Sequence, residues 1–199
     1  MRPIYFVLLA ITCFAASPAL AEHHNYIGFQ GGITSPGDPD DLSRNGITAT
    51  YSTDTGYNVG LIVGRSFDGV RGELEFTHRA SDTNLTISDG IDTDQGNSQY
   101  SAQSIMANGY LDFDRGHSIT PYIGAGLGVV RAESDSFETT NFIGTNAIDT
   151  SLAYQVMLGA NMSLSESASL NVGARYMGAD NDVLPNANYE LITGLSYHF

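Results

Sequence analysis

Residues 70–79 read Val-Arg-Gly-Glu-Leu-Glu-Phe-Thr-His-Arg. Successive side chains of a β-strand point to opposite faces, so Val70, Gly72, Leu74, Phe76 and His78 form one row, and Arg71, Glu73, Glu75, Thr77 and Arg79 the other. One row suits lipid; the other is ionic. A water-soluble barrel would turn the apolar row inward and a membrane barrel would turn it outward, and alternation in one segment does not choose between them. The choice rests on the rest of the chain.

Alternation recurs in eight segments of roughly ten residues, near 24–33, 55–67, 69–81, 99–113, 118–131, 150–163, 168–178 and 187–199. Long polar stretches (34–54, 82–98, 132–149 and 179–186) alternate with three short turns, at Asp68-Gly69, at Asp114 to His117 and at Ser165 to Ser167. Long, short, long, short is the pattern of a meandering barrel. It leaves both ends of the chain on the tight-turn side, as expected for an even-stranded barrel with periplasmic termini.

Aromatic placement favours the membrane solution. With strands read alternately up and down, Tyr57, Tyr154, Tyr176 and Tyr189 fall at the long-loop rim, and Phe67, Phe113, Tyr197 and Phe199 at the tight-turn rim. Between these rings lies an aliphatic band that includes Leu61, Val63, Leu74, Ile123, Leu127 and Val156. Two aromatic rings flanking an aliphatic belt match a bilayer with two interfaces, and a soluble core has no reason to sort rings in that way. Hydrocarbon offers no hydrogen bonds to an open sheet edge, so the sheet must close. The expected fold is all-β: an eight-stranded antiparallel up-and-down transmembrane β-barrel with four long extracellular loops and three short periplasmic turns.

The first 21 residues have the form of a secretory leader. Arg2 is the positive start, an apolar stretch runs from Ile4 to Ala16, and Ala19 and Ala21 stand at cleavage spacing. A transmembrane helix is disfavoured, because Ser17 and Pro18 arrive before the roughly 20 apolar residues a crossing needs. Residues 22–199 are then one outer-membrane barrel domain. The single cysteine, Cys13, falls inside the leader, so no disulfide is available to the exported chain. Cleavage removes Arg2 and no acid, which takes the formal charge from −14 to −15. Lysine is absent. Such a chain repels nucleic acid and anionic headgroups.

The face opposite the apolar rows carries Arg71, Glu73, Glu75, Asp112, Arg175 and Glu190, with Gln30, Asn108, Gln155 and Asn171. An eight-stranded barrel is just wide enough for side chains to fill, so these groups are expected to pair as a polar plug in the lumen. An ion path through so few strands is the weaker reading. Gly124, Gly126 and Gly128 share that inward face and make room for bulky neighbours such as Tyr122 or Arg175, or leave a narrow wet seam.

Fourteen of the 22 acids lie in the long polar stretches. They form a solvated acidic rim suited to divalent ions that bridge to lipopolysaccharide, or to a basic host surface ligand. Asp92 to Asn97 lacks the third carboxylate and distant glutamate of a calcium loop, and the histidines have no ligand spacing, so neither metal nor cofactor is expected. His24, third from the new amine after cleavage, would suit Cu(II) or Ni(II), but an exposed terminal His pair is more often only a polar start.

In combination, "NYIGFQGG", "GYNVGLIVGRSF", "GVRGELEFTHR", "SIMANGYLDFD", "PYIGAGLGVV", "AYQVMLGANMSLSESASLNVGARY" and "YELITGLSYHF" make the chain resemble the opacity-type, OmpA-like family of small outer-membrane surface antigens. The resemblance covers residues 22–199. It implies a non-catalytic surface protein with variable, antigenic loops and a role in envelope integrity or host contact. It also implies export past periplasmic chaperones to the barrel assembly machinery, with Gly194, Tyr197 and Phe199 at the spacing of the family's insertion signal; Ile192 stands where that signal usually has a polar residue. Larger relatives carry a peptidoglycan-binding domain, which is not expected here. The alternatives are a small porin-like channel and, further off, a lipid A-modifying enzyme. The deacylase pattern of His followed two residues later by Ser is replaced here by Arg175-Tyr-Met-Gly178.

Overall fold

A computed structural model of the chain describes residues 25–37, 42–44, 47–88, 93–113, 118–134, 147–179 and 187–199. The leader with Ala19 and Ala21, the Asp114 to His117 turn and much of the long connections lie outside the described residues.

The described residues form ten strands: β1 (Asn25–Pro36), β2 (Leu42–Arg44), β3 (Ile47–Thr53), β4 (Gly56–Phe67) and β5 (Val70–Ser88). They continue as β6 (Thr93–Asp112), β7 (Ile119–Ser134), β8 (Ala147–Ser165), β9 (Ala168–Ala179) and β10 (Ala187–His198). Eight of them close a ring in the order β1-β4-β5-β6-β7-β8-β9-β10, every pair antiparallel, with β10 returning to β1. The ring leaves no edge among these strands, which is the condition for a sheet to sit in hydrocarbon.

The turn at Asp68-Gly69 is as tight as its sequence requires. Phe67 pairs with Val70, and Gly69 takes a φ of +70° that a side chain would disfavour. The connection at Ser165 to Ser167 is equally short, with a register shift between Ser163 and Ser165.

Three stretches expected as loops are partly strand, 132–149 only at its two ends, where Ala132 to Ser134 pair with Ala147 to Asp149. β5 continues to Ser88 and β6 begins at Thr93, so most of 82–98 is a paired extension of the wall. The 34–54 stretch contains the β2–β3 hairpin, whose β3 pairs with that extension from Thr48↔Ser88 to Thr53↔Thr83. The reason is physical. Roughly ten residues cross a bilayer, and β5 has 19 and β6 has 20. Beyond the lipid neither face needs to be apolar, so the strand persists while its alternating signature weakens to Leu85 and Ile87 in β5 and vanishes over 93–98 in β6. The strand span also removes the loop-like setting of Asp94 to Asn97, which lie in β6.

Along β4 the burial alternates residue by residue. Tyr57, Leu61 and Val63 are exposed, and Asn58 and Ile62 are buried. The same phase turns Leu127, Leu152, Leu158 and Leu191 outward, and turns Glu75, Thr77, Arg79, Gln155, Arg175 and Glu190 inward. Such a continuous exposed apolar surface suits lipid rather than water. Phe67, Phe113, Tyr197 and Phe199 face out at one rim. At the other rim, Tyr154, Tyr176 and Tyr189 form a ladder with ring centroids 6.2 and 5.4 Å apart.

Candidate functional site in the barrel lumen

The interior is layered from the tight-turn end upward. In the first layer Arg71 donates from Nε to Asp112 at 2.6 Å and from Nη1 to Glu73 at 3.1 Å. Tyr26 donates its hydroxyl to the same Glu73 oxygen at 2.6 Å. The guanidinium lies 4.4 Å from the Tyr110 ring centroid and 5.1 Å from that of Tyr122, an arrangement that holds a cation by its attraction to two ring faces. These groups border a cavity of about 620 Å3, which also touches Asn171, Ser169 and His198. The Ser169 hydroxyl and His198 Nε2 are 2.9 Å apart on its wall.

The second layer is packed solid. Arg175 reaches both oxygens of Glu75, at 2.7 and 3.0 Å. Because β5 and β9 stand opposite one another in the ring of eight, this bidentate pair spans the lumen. Glu75 also accepts from Thr77 at 2.6 Å and from Asn108 at 2.9 Å. Gln155 donates to Asn108 at 2.7 Å. Arg175 donates onward to Glu190 at 3.2 Å, and Glu190 accepts from Arg79 at 2.6 Å. Arg79 then donates to Ser104 at 2.7 Å. Two guanidiniums and two carboxylates balance in charge, with side chains at most 2% exposed. Isolated ions would be prohibitive here, whereas ions paired at these distances are tolerated, with Arg175 Nε the one guanidinium nitrogen of the layer left buried without a partner.

The third layer is apolar: Tyr100, Ala102, Met106, Val130, Ala132, Ala153 and Met177 pack as one buried cluster. Residues considered from sequence therefore fall into two groups. Arg71, Glu73 and Asp112 meet around the cavity, and Glu75, Arg175 and Glu190 meet across the middle. Sequence reading did not gather Arg79, Tyr26, Tyr110 and Ser104 into the network. Each was findable by phase: Arg79 continues the row of Arg71, Glu73 and Glu75, Tyr26 and Tyr110 alternate with outward Ile27 and Leu111, and Ser104 lies in the row of Tyr110 and Asn108 on β6.

The inward glycines make room as expected, but for different neighbours. A side chain at Gly124, Gly126 or Gly128 would meet Tyr110, Asn108 or Met106, each its register partner on β6. Tyr122 instead lies over Gly159 and Gly173. Side chains lean onto the directly paired residue of the adjacent strand, and sequence spacing does not reveal that direction.

Over residues 6–199 the sequence matches the family model described as outer membrane protein beta-barrel domain, a match that begins inside the expected leader. The chain belongs to that family. The barrel accordingly resides in the cell outer membrane, and its outward rows meet outer-membrane lipid. An uncharacterized protein of Brucella abortus strain 2308 is 30% identical over 91 residues, 42% of this chain and 32% of that protein. The match thus spans about a third of the relative's length. Neisserial surface protein A is similar in structure, with a TM-score of 0.61 at 19% identity, covering 88% of this chain and 97% of that one. The outer membrane protein OprG of Pseudomonas aeruginosa gives 0.55 at 15% identity, covering 88% and 96%. At such identities the likeness is one of fold.

The outer-membrane barrel places the three residues considered for insertion on β10 and at its end. Gly194 opposes Gln30, and Tyr197 and Phe199 project outward. The Phe199 amide donates to the Asn25 carbonyl at 2.8 Å, which ties the end of β10 to the start of β1.

Proposed function

We propose that the protein is a non-catalytic, non-conducting outer-membrane surface protein that acts in envelope integrity or in adhesion to a host surface. One observation carries this reading: Glu75, Arg175, Glu190 and Arg79 fill the lumen from wall to wall beneath a buried apolar layer. Such a stack offers an ion no hydrated route. What remains for function is the outside of the wall and the acidic connections at the far rim, which would face the medium. Their charge suits divalent ions bridging to lipopolysaccharide, or a basic host ligand.

Planar-bilayer recording of the purified barrel tests the first half of the proposal. No steady conductance is expected; reproducible single-channel steps would favour a small porin, for which the cavity of about 620 Å3 at the tight-turn end would be one vestibule. Deleting the four long connections one at a time, scored for adhesion and serum resistance, tests the second half.

Export and assembly belong to the same proposal: cleavage after Ala21, escort by periplasmic chaperones, and recognition of Gly194, Tyr197 and Phe199 by the barrel assembly machinery. Phe199→Ala should slow outer-membrane insertion. Insertion at the wild-type rate would remove Phe199 from that role.

A further inference from the structure

The outward rows carry an arginine near each rim. Arg131, on the long-connection side, pairs with Glu133 at 2.9 Å. Arg65 stands at the opposite rim, in the row of Tyr57, Leu61 and Val63, and has no carboxylate partner among the described residues. Its Nε is shielded from solvent and unbonded. Its guanidinium carbon lies 5.5 Å from the centroid of the Phe67 ring. Phe67 is the last residue of β4, so the cation reaches along its own strand toward the rim. That is where a long cationic side chain on a lipid face finds headgroups.

An apolar groove of about 600 Å3 begins beside it, on the outer surface of β10, β1 and β4. Its walls are Ile27, Phe29, Leu61, Val63, Leu195 and Tyr197. They stand in two cross-strand rows, with Ile27 between Val63 and Tyr197 and Phe29 between Leu61 and Leu195. Arg65 is one outward position beyond Val63, opposite Asn25. A cation with no carboxylate partner among the described residues, at one end of a hydrocarbon-lined groove, is complementary to a phosphate attached to an acyl chain.

We propose that this face binds one glycerophospholipid from the leaflet at the tight-turn rim, with its phosphate on Arg65 and the first part of an acyl chain in the groove. A zwitterionic headgroup fits best, because a strongly acidic chain, −14 over the full sequence and −15 without the leader, repels a net anion whereas a phosphate balanced by its own ammonium meets little repulsion. The inference rests on the outer-membrane location and is independent of what the protein does there.

Native mass spectrometry of the full-length mature barrel, released from detergent with dioleoyl-phosphatidylethanolamine, reads this directly. One retained lipid is expected on the wild type. Arg65→Gln should weaken retention about tenfold, the size of one lost charge-assisted contact. Arg65→Lys should recover part of that loss, Arg131→Gln should change nothing, and dioleoylglycerol, which lacks the phosphate, should not distinguish wild type from Arg65→Gln. Val63→Trp, which fills the groove and leaves the cation intact, should also weaken retention. Full retention by Arg65→Gln or by Val63→Trp overturns the proposal. So does an equal loss in Arg131→Gln, or displacement of the phospholipid by lipid A at equal concentration.

Discussion

The two halves of the lumen are built from the same residue types and arrive at opposite states. Around Glu75 every charged group is shared: Arg175 serves Glu75 and Glu190, Glu190 serves Arg79, and no side chain among these is more than 2% exposed. Around Arg71 the pairs with Asp112 and Glu73 are equally short, yet those side chains keep 5 to 12% exposure and border a cavity. Arg71 Nη2 and Asp112 Oδ1 have no protein partner, and neither do Arg175 Nε and Gln155 Oε1 in the other half, but only the first two border a polar space large enough to admit water. Composition does not separate the halves. What separates them is whether a lost partner can be replaced by solvent.

Breaking the dry half should have the largest effect. Glu75→Ala leaves Arg175 buried with only Glu190 to pair with, a defect that costs about 3–5 kcal/mol. Urea unfolding of the barrel in phospholipid vesicles should show a clearly lowered midpoint. The double replacement Glu75→Met with Arg175→Leu should recover most of that loss, because removing a buried pair outright spares the desolvation of both ions. A Glu75→Ala barrel that unfolds like wild type would mean that the middle layer is wetter than its packing implies.

Crowding probes the same contrast at smaller scale. A methyl at Gly126 would meet the Asn108 side chain, which Gln155 and Glu75 hold from two sides. A methyl at Gly124 would meet the Tyr110 ring, which borders the cavity. Overpacking in a filled core costs about 1–3 kcal/mol, and Gly126→Ala should fall in that range. Gly124→Ala should cost less than half as much, since the ring has room to move aside. Equal losses of stability in the same unfolding measurement would show that the cavity does not relax.

The wall was legible in the sequence because lipid imposes a rule on every second residue. Leu61, Leu127 and Leu158 announce their direction by their neighbours, and Asp68-Gly69 announces its turn by chemistry. The rule stops at the membrane boundary. In the β5 and β6 extensions the signal thins to Leu85 and Ile87 on one strand and to Thr-Asp-Gln-Gly-Asn-Ser over 93–98 on the other, so the stretch reads as loop although it pairs residue for residue. The lumen was legible only as a set. Phase shows that Glu75 and Arg175 both face inward, but their pairing across the barrel depends on strand stagger, and so does the separation of Arg71 from the middle layer. Which half holds the cavity depends on where Tyr110, Tyr122 and the inward glycines fall in three dimensions, and no local pattern encodes that.

Asp112→Asn should also produce a small effect, far below that of Glu75→Ala, and its size is what tests the contrast. By distance alone it should rank with Glu75→Ala, because the Arg71–Asp112 contact of 2.6 Å is as short as any ion pair among the described residues. Three features oppose that ranking. Arg71 keeps Glu73 and the Tyr26 hydroxyl. It keeps two aromatic faces. Asparagine can still accept from Nε, and water in the cavity can meet the remaining N–H. The expected cost is about 1 kcal/mol, close to one ordinary hydrogen bond. A loss approaching that of Glu75→Ala would show that solvent does not enter the cavity, and the distinction between a wet and a dry half would fail.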